Sequence, residues 1–100
     1  MRPSEILHAK RNEVRALAKS YEEKGLHDLR VFGSVARGED EEGSDIDFVV
    51  TPEREKQPGF YVFALGGDLE DLLGVKVDVV TEDTCDEEFI DSIRREAVLI

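Results

Sequence analysis

Two carboxylates separated by one apolar residue stand in Ser44-Asp45-Ile46-Asp47-Phe48-Val49-Val50, a run that begins ten residues after the serine of Gly33-Ser34-Val35-Ala36-Arg37-Gly38. Side chains alternate across a β-strand, so Asp45 and Asp47 project to one face while Ile46 and Phe48 enter a core. Two anions on one face repel each other, and a divalent cation is the natural means of offsetting that repulsion. Magnesium in particular combines a few carboxylates with phosphate oxygens in preference to an all-protein cage. A third carboxylate stands in Val75-Lys76-Val77-Asp78-Val79-Val80, where the odd-numbered valines share one face and leave Lys76 and Asp78 on the other. If the two strands are neighbours, three carboxylates converge, enough to hold two metal ions in an in-line phosphoryl transfer.

The residues before this pair supply an anion cradle. Leu29-Arg30-Val31-Phe32 reads as a strand, and Gly33 ends it where a missing side chain lets backbone approach a ligand. Ser34 then opens a short helical turn whose free N–H groups face an anion, with its hydroxyl as a further donor. Arg37, three residues on, shares that helical face and suits either a phosphate contact or an ordinary surface position.

The remaining elements alternate in type. Pro3 and Ser4 suit a helix start, and an apolar stripe through Ile6, Val14, Leu17, Ala18 and Tyr21 runs to a stop at Gly25. Arg37 to Ser44 is a loop in which Glu39 to Glu42 read as a solvated acidic turn. Thr51 to Gly59 is a second loop. Phe60, Phe63, Ala64, Leu65, Leu69, Leu72 and Leu73 follow helical spacing as core residues, with a kink expected at Gly66-Gly67. Thr84 and Glu87 stand at capping-box spacing before a helix carrying Phe89, Ile90 and Ile93. The apolar Val98-Leu99-Ile100 either folds back on the sheet or forms an exposed docking patch.

The combination of Gly-Ser, a spacer, Asp-x-Asp and a later strand aspartate resembles the signature of the polymerase-beta-like nucleotidyltransferase superfamily. The string GSVARGEDEEGSDIDFVV, the helical stretch ending Leu72-Leu73-Gly74, VKVDVV and the ending REAVLI are closer still to its minimal members, over nearly the whole chain. That resemblance implies an α/β (α+β) fold with a small mixed sheet flanked by helices. It implies an antitoxin that transfers AMP from ATP to a tyrosine of a HEPN-domain ribonuclease toxin. Position by position, Gly33 and Ser34 would bind the triphosphate, with Arg37 as a further contact, and Asp45, Asp47 and Asp78 would ligate two magnesium ions. Val35 departs from the family, which often has arginine there, and the Gly66-Gly67 pair is a second departure. Two other activities fit the same residues: an antitoxin acting by binding alone, and a transferase for a cationic small molecule such as an aminoglycoside.

Length and charge bound these readings. A chain of 100 residues, 40% of them hydrophobic, is expected to form one domain over residues 1–100 with a modest core. Its 24 acidic against 13 basic side chains give a formal net charge of -11, a surface that repels nucleic acid and favours a basic partner or cationic substrate. No apolar run approaches the roughly 20 residues of a membrane span, and no signal-peptide pattern is present, so a cytoplasmic location is expected. Cys85, with no companion cysteine, reads as a helix-entry residue, and His8 and His27 as surface or structural groups.

Overall fold

The computed structural model describes residues 1–56, 59–84 and 86–100. It is a mixed α/β arrangement in which helices cover a four-stranded sheet, as the resemblance implies. Helix α1 spans Pro3–Ala9 and α2 Arg11–Glu22, before strand β1 (Leu26–Phe32). The short helix α3 (Gly33–Arg37) leads through an irregular loop to strand β2 (Ile46–Pro52). Helix α4 (Gly59–Leu73), strand β3 (Val77–Thr81), helix α5 (Glu87–Glu96) and the two-residue strand β4 (Val98–Leu99) complete the order.

The strands lie in the order β3-β2-β1-β4. β1 pairs antiparallel with β2 and with β4, whereas β2 and β3 run parallel, with α4 providing the crossover that a parallel pair needs. Each sheet face has its own apolar contacts. Ile46, Phe48 and Val50 of β2 meet Val14, Tyr21, Leu65, Leu69 and Leu73 of α2 and α4, while Val49 and Phe32 meet Ile93 of α5 on the opposite face. Ile46 and Phe48 are fully buried, as strand alternation requires. Asp47 and Asp78 have the parity of Val49 and Val80, so they belong to the α5 face.

Several sequence expectations are corrected. The expected single N-terminal helix is divided at Lys10, whose φ of -108° and ψ of 19° leave the helical region. Helix α4 runs unbroken through Gly66 and Gly67. Its buried stripe is Leu65, Leu69 and Leu73, and the hydroxyl of Tyr21 fastens the helix to α2 by donating to Asp68 at 2.6 Å. Phe60 and Phe63, expected in the core, lie off that stripe and are 79% and 88% exposed. Helix α5 begins at Glu87, and the side chain of Asp86 caps it by accepting from the Phe89 N–H at 2.8 Å. The terminal apolar residues do fold back, as β4, yet Val98 and Leu99 keep their side chains exposed. Cys85 lies outside the described residues. Among those residues no helix is long and apolar enough to cross a membrane.

Candidate active site

The turn from β1 into α3 is built around Gly33. Its φ of +73° lies in the left-handed region that side chains disfavour, and a Cβ placed there would stand 2.5 Å from Oδ2 of Asp47. Glycine is therefore required twice over, by the backbone and by the carboxylate beside it. Ser34 is the next residue of α3, half-buried, and Gly38 closes the helix in a left-handed cap whose N–H reaches back to the carbonyls of Ser34 and Val35.

The adjacency that sequence could only posit is present. β2 and β3 pair with Asp47 directly opposite Asp78, so the two carboxylates share one face of neighbouring strands. Asp45 comes immediately before β2. Partial burial raises the pKa of the Asp47 carboxyl above its usual range, and the negative charges of Asp78 and then Asp45 push it the same way, with Arg37 opposing them. All four side chains thus act on one small region beside the Gly33 turn.

Glu96, at the end of α5, closes this region from the other side, and nothing in the sequence marked it. Its carboxylate accepts from the Arg37 guanidinium at 3.0 Å and, more weakly, from the Gly33 N–H at 3.4 Å. The hydrogen bond from Arg37 to Glu96 is the main reason that the Arg37 pKa is raised. A carboxylate therefore engages two of the donors that the sequence reading assigned to a phosphate. The REAVLI ending carried the family likeness, but its glutamate reaches the turn only through tertiary folding.

The acidic loop is less uniform than its composition suggests. Asp40, within the stretch expected to be solvated, is 3% exposed and accepts from the Ser4 N–H at 2.8 Å, the first turn of α1. Burial alone would raise its pKa, but the backbone N–H and hydroxyl of Ser4 outweigh that and hold it below the ordinary carboxylate range. The loop joining the Gly33 turn to the aspartate strand is thereby anchored in the fold.

The donor set fits a hard divalent cation. It comprises oxygen ligands with repulsion to relieve, next to a turn whose missing side chain leaves room for a further ligand. Among the described residues, no three acidic, histidine or cysteine side chains are drawn together as a finished cation cage. Magnesium needs no such cage, because substrate phosphates usually complete its coordination.

A sheet bearing paired aspartates next to a Gly-Ser turn defines a nucleotidyltransferase architecture, and the family model for the nucleotidyltransferase domain matches residues 12–100. The chain belongs to that family. It is 35% identical over 96 residues to the protein adenylyltransferase MntA of Thermococcus cleftensis, covering 95% of this chain and 89% of that protein. It is 38% identical over 85 residues to a Methanocaldococcus jannaschii protein provisionally named protein adenylyltransferase MJ1215, covering 81% and 90% of the two chains. A solved structure provisionally designated a minimal nucleotidyltransferase superposes with a TM-score of 0.79 at 36% identity, covering 94% of this chain and 95% of the other. The fold is also that of a toxin–antitoxin structure with AMP-PNP, at a TM-score of 0.70 and 20% identity, covering 88% of this chain and 69% of the other.

Proposed function

We propose that this chain, acting in the cytoplasm as one catalytic domain over residues 1–100, is a magnesium-dependent antitoxin enzyme. It transfers AMP from ATP to a tyrosine hydroxyl of a partner HEPN-domain ribonuclease toxin and so neutralises it. The observation that carries the reading is the register pairing of Asp47 with Asp78 beside Gly33. The name of the Thermococcus cleftensis relative supports AMP as the transferred group, and the likeness to a toxin–antitoxin structure with AMP-PNP supports the kind of partner.

In this reading the Gly33 N–H and Ser34 hold the β and γ phosphates, and Arg37 adds a charge-assisted contact as Glu96 releases it. Asp45, Asp47 and Asp78 hold two magnesium ions. Bound magnesium would neutralise the triphosphate and acidify an attacking hydroxyl. The acceptor oxygen attacks the α-phosphorus in line, and the pyrophosphate leaves toward the Gly33 turn. A surface with net charge -11 favours a basic protein partner over nucleic acid.

The test is to purify the chain with its co-expressed partner and measure the partner's intact mass before and after ATP and magnesium are added. The expected result is a gain of one or more AMP groups, absent with Asp47→Asn. Neutralisation that persists with Asp47→Asn, without a mass gain, would instead identify an antitoxin acting by contact alone.

A further inference from the structure

Strand β3 is the outer strand of the sheet, paired with β2 on one side only. Its backbone groups alternate in direction. The Ile46 N–H donates to the Lys76 carbonyl at 3.0 Å, and the parallel register from Ile46↔Val77 onward turns the groups of Asp78 and Val80 toward β2. Those of Val77 and Val79 therefore face outward. The Val77 N–H is met by the Glu70 carboxylate of α4 at 3.1 Å, whereas the Val79 N–H has no partner among the described residues. An open edge of this kind is a template for pairing with another chain.

Beside the edge, a groove of about 520 Å³ separates β3 from α4, with Phe63, Gly66, Gly67 and Glu70 on the helix side and Val77 and Val79 on the strand side. Val77 and Val79 pack with the α4 core, so the groove lies on the sheet face opposite the Asp47 and Asp78 carboxylates. Its width comes from the two glycines. A Cβ at Gly66 would meet only a Val79 methyl at 3.6 Å, and one at Gly67 would meet nothing within 4 Å. No contact within the chain demands glycine at position 67, although glycine there weakens the helix. Bare helix backbone facing an open strand edge leaves room for a further backbone to approach both.

The composition of the groove selects its occupant. Phe63 is 88% exposed at its wall, an apolar group left in water on a highly charged protein. Glu70 is exposed on the helix side, and no lysine, arginine or histidine lines the groove. A second copy of this chain would bring its own Glu70 and a net charge of -11 against the same charges. An apolar strand with a basic residue complements the groove instead.

We infer that the outer edge of β3 is a strand-addition site, which takes an extended segment of the partner protein into the α4–β3 groove. The segment is apolar at the alternate positions that face Phe63 and Gly66-Gly67, and it carries lysine or arginine beside Glu70. It bonds to the outward groups of Val79. The inference rests on the function proposed above only for the existence of a partner. Docking on this face leaves the Gly33 turn and the aspartates open to nucleotide.

The experiment measures amide exchange by NMR, and calorimetric affinity for the co-expressed partner and for a non-hydrolysable ATP analogue. In the free chain the Val79 amide is expected to exchange faster than those of Asp78 and Val80, and the partner is expected to slow it about 10-fold or more. Gly67→Leu fills the groove with a better helix former, so its melting temperature is expected at or above that of wild type. Its affinity for the partner is expected to fall about 10-fold or more, with analogue affinity unchanged. Glu70→Gln keeps an acceptor for Val77 and removes the charge, and is expected to weaken partner binding about 3-fold. Wild-type partner affinity in Gly67→Leu, or a Val79 amide that the partner leaves unprotected, would overturn the site and leave the transferase reading standing. Unchanged or tighter binding by Glu70→Gln would overturn the basic occupant. Val79 protection in the chain alone, rising with its concentration, would identify a second copy as the occupant and overturn the inference. Failure of the wild type to bind or modify the co-expressed partner would overturn both readings.

Discussion

Asp47 and Asp78 occupy opposing positions on two parallel strands, so their carboxylates share one sheet face and repel each other. A carboxyl whose pKa is raised by folding weakens the folded state where it is ionised, and the raised Asp47 pKa follows that rule. At neutral pH, without metal, Asp47→Asn is therefore expected to raise the melting temperature, while transfer falls by about 100-fold or more, the several kcal/mol a lost metal ligand costs. The thermal gain should vanish below about pH 4, where the unfolded carboxyl is also protonated. A melting temperature lowered at neutral pH would contradict the repulsion.

Magnesium should reverse the order of stability. An ion that binds only the folded chain raises the melting temperature by mass action, so wild type is expected to gain several degrees with magnesium and ATP analogue together. Asp47→Asn should gain much less. Differential scanning fluorimetry across a magnesium titration checks this, and equal gains in both proteins would count against the aspartates as ligands.

Gly33→Ala introduces a Cβ 2.5 Å from the Asp47 carboxylate at a φ of +73°. The backbone strain alone is of order 1–3 kcal/mol, and Asp47 must move as well. The expected outcome is a lower melting temperature together with loss of transfer. Gly38→Ala serves as the control, since it carries the same kind of strain (φ +72°) with nothing within 4 Å, and should lose stability while keeping most activity.

Glu96 occupies donors of Gly33 and Arg37 that the proposed phosphate site would use. Glu96→Gln weakens its hold on Arg37, so affinity for an ATP analogue, measured by calorimetry, is expected to rise about 3- to 10-fold. Stability should change by less than about 1 kcal/mol, because both partners are partly exposed. A fall in affinity would mean that Glu96 holds Arg37 in its binding position rather than competing for it.

Asp40 ties the acidic loop to α1, and Asp40→Ala is expected to cost about 1–3 kcal/mol by leaving the Ser4 N–H without its partner. Its folded pKa is depressed, so its contribution is present above the unfolded value near 3.9 and is lost as pH falls through the folded one. The gap in urea midpoint between wild type and variant should therefore be wide at pH 7 and narrower at pH 3. A gap independent of pH would point to packing rather than charge.

What the sequence disclosed was mostly local. The Gly33 turn and the parity of Asp45, Asp47 and Asp78 are set within a few residues by strand alternation, and both could be read directly. The pairing of Asp47 with Asp78 depends on two strands separated by a helix, so sequence could pose it only as a condition. Glu96 reaches the site from the end of α5, a relationship that no local periodicity encodes. Phe60 and Phe63 were misassigned for a different reason: α4 is apolar on several faces, and hydrophobicity alone does not choose among them. The consistent Leu65, Leu69, Leu73 spacing was the available signal, and it places both phenylalanines off the buried side. The unbroken α4 shows tertiary packing overriding the low helix propensity of two glycines.

The central claim is nucleotidyl transfer directed by the aspartate pair. Its most direct test incubates the chain and its partner with magnesium and ATP labelled either at the α- or at the γ-phosphorus. The account predicts α label fixed covalently on the partner, γ label released as pyrophosphate, and neither outcome with Asp47→Asn or Asp78→Asn. Label from the γ position on the partner, or α labelling that survives both substitutions, would contradict it.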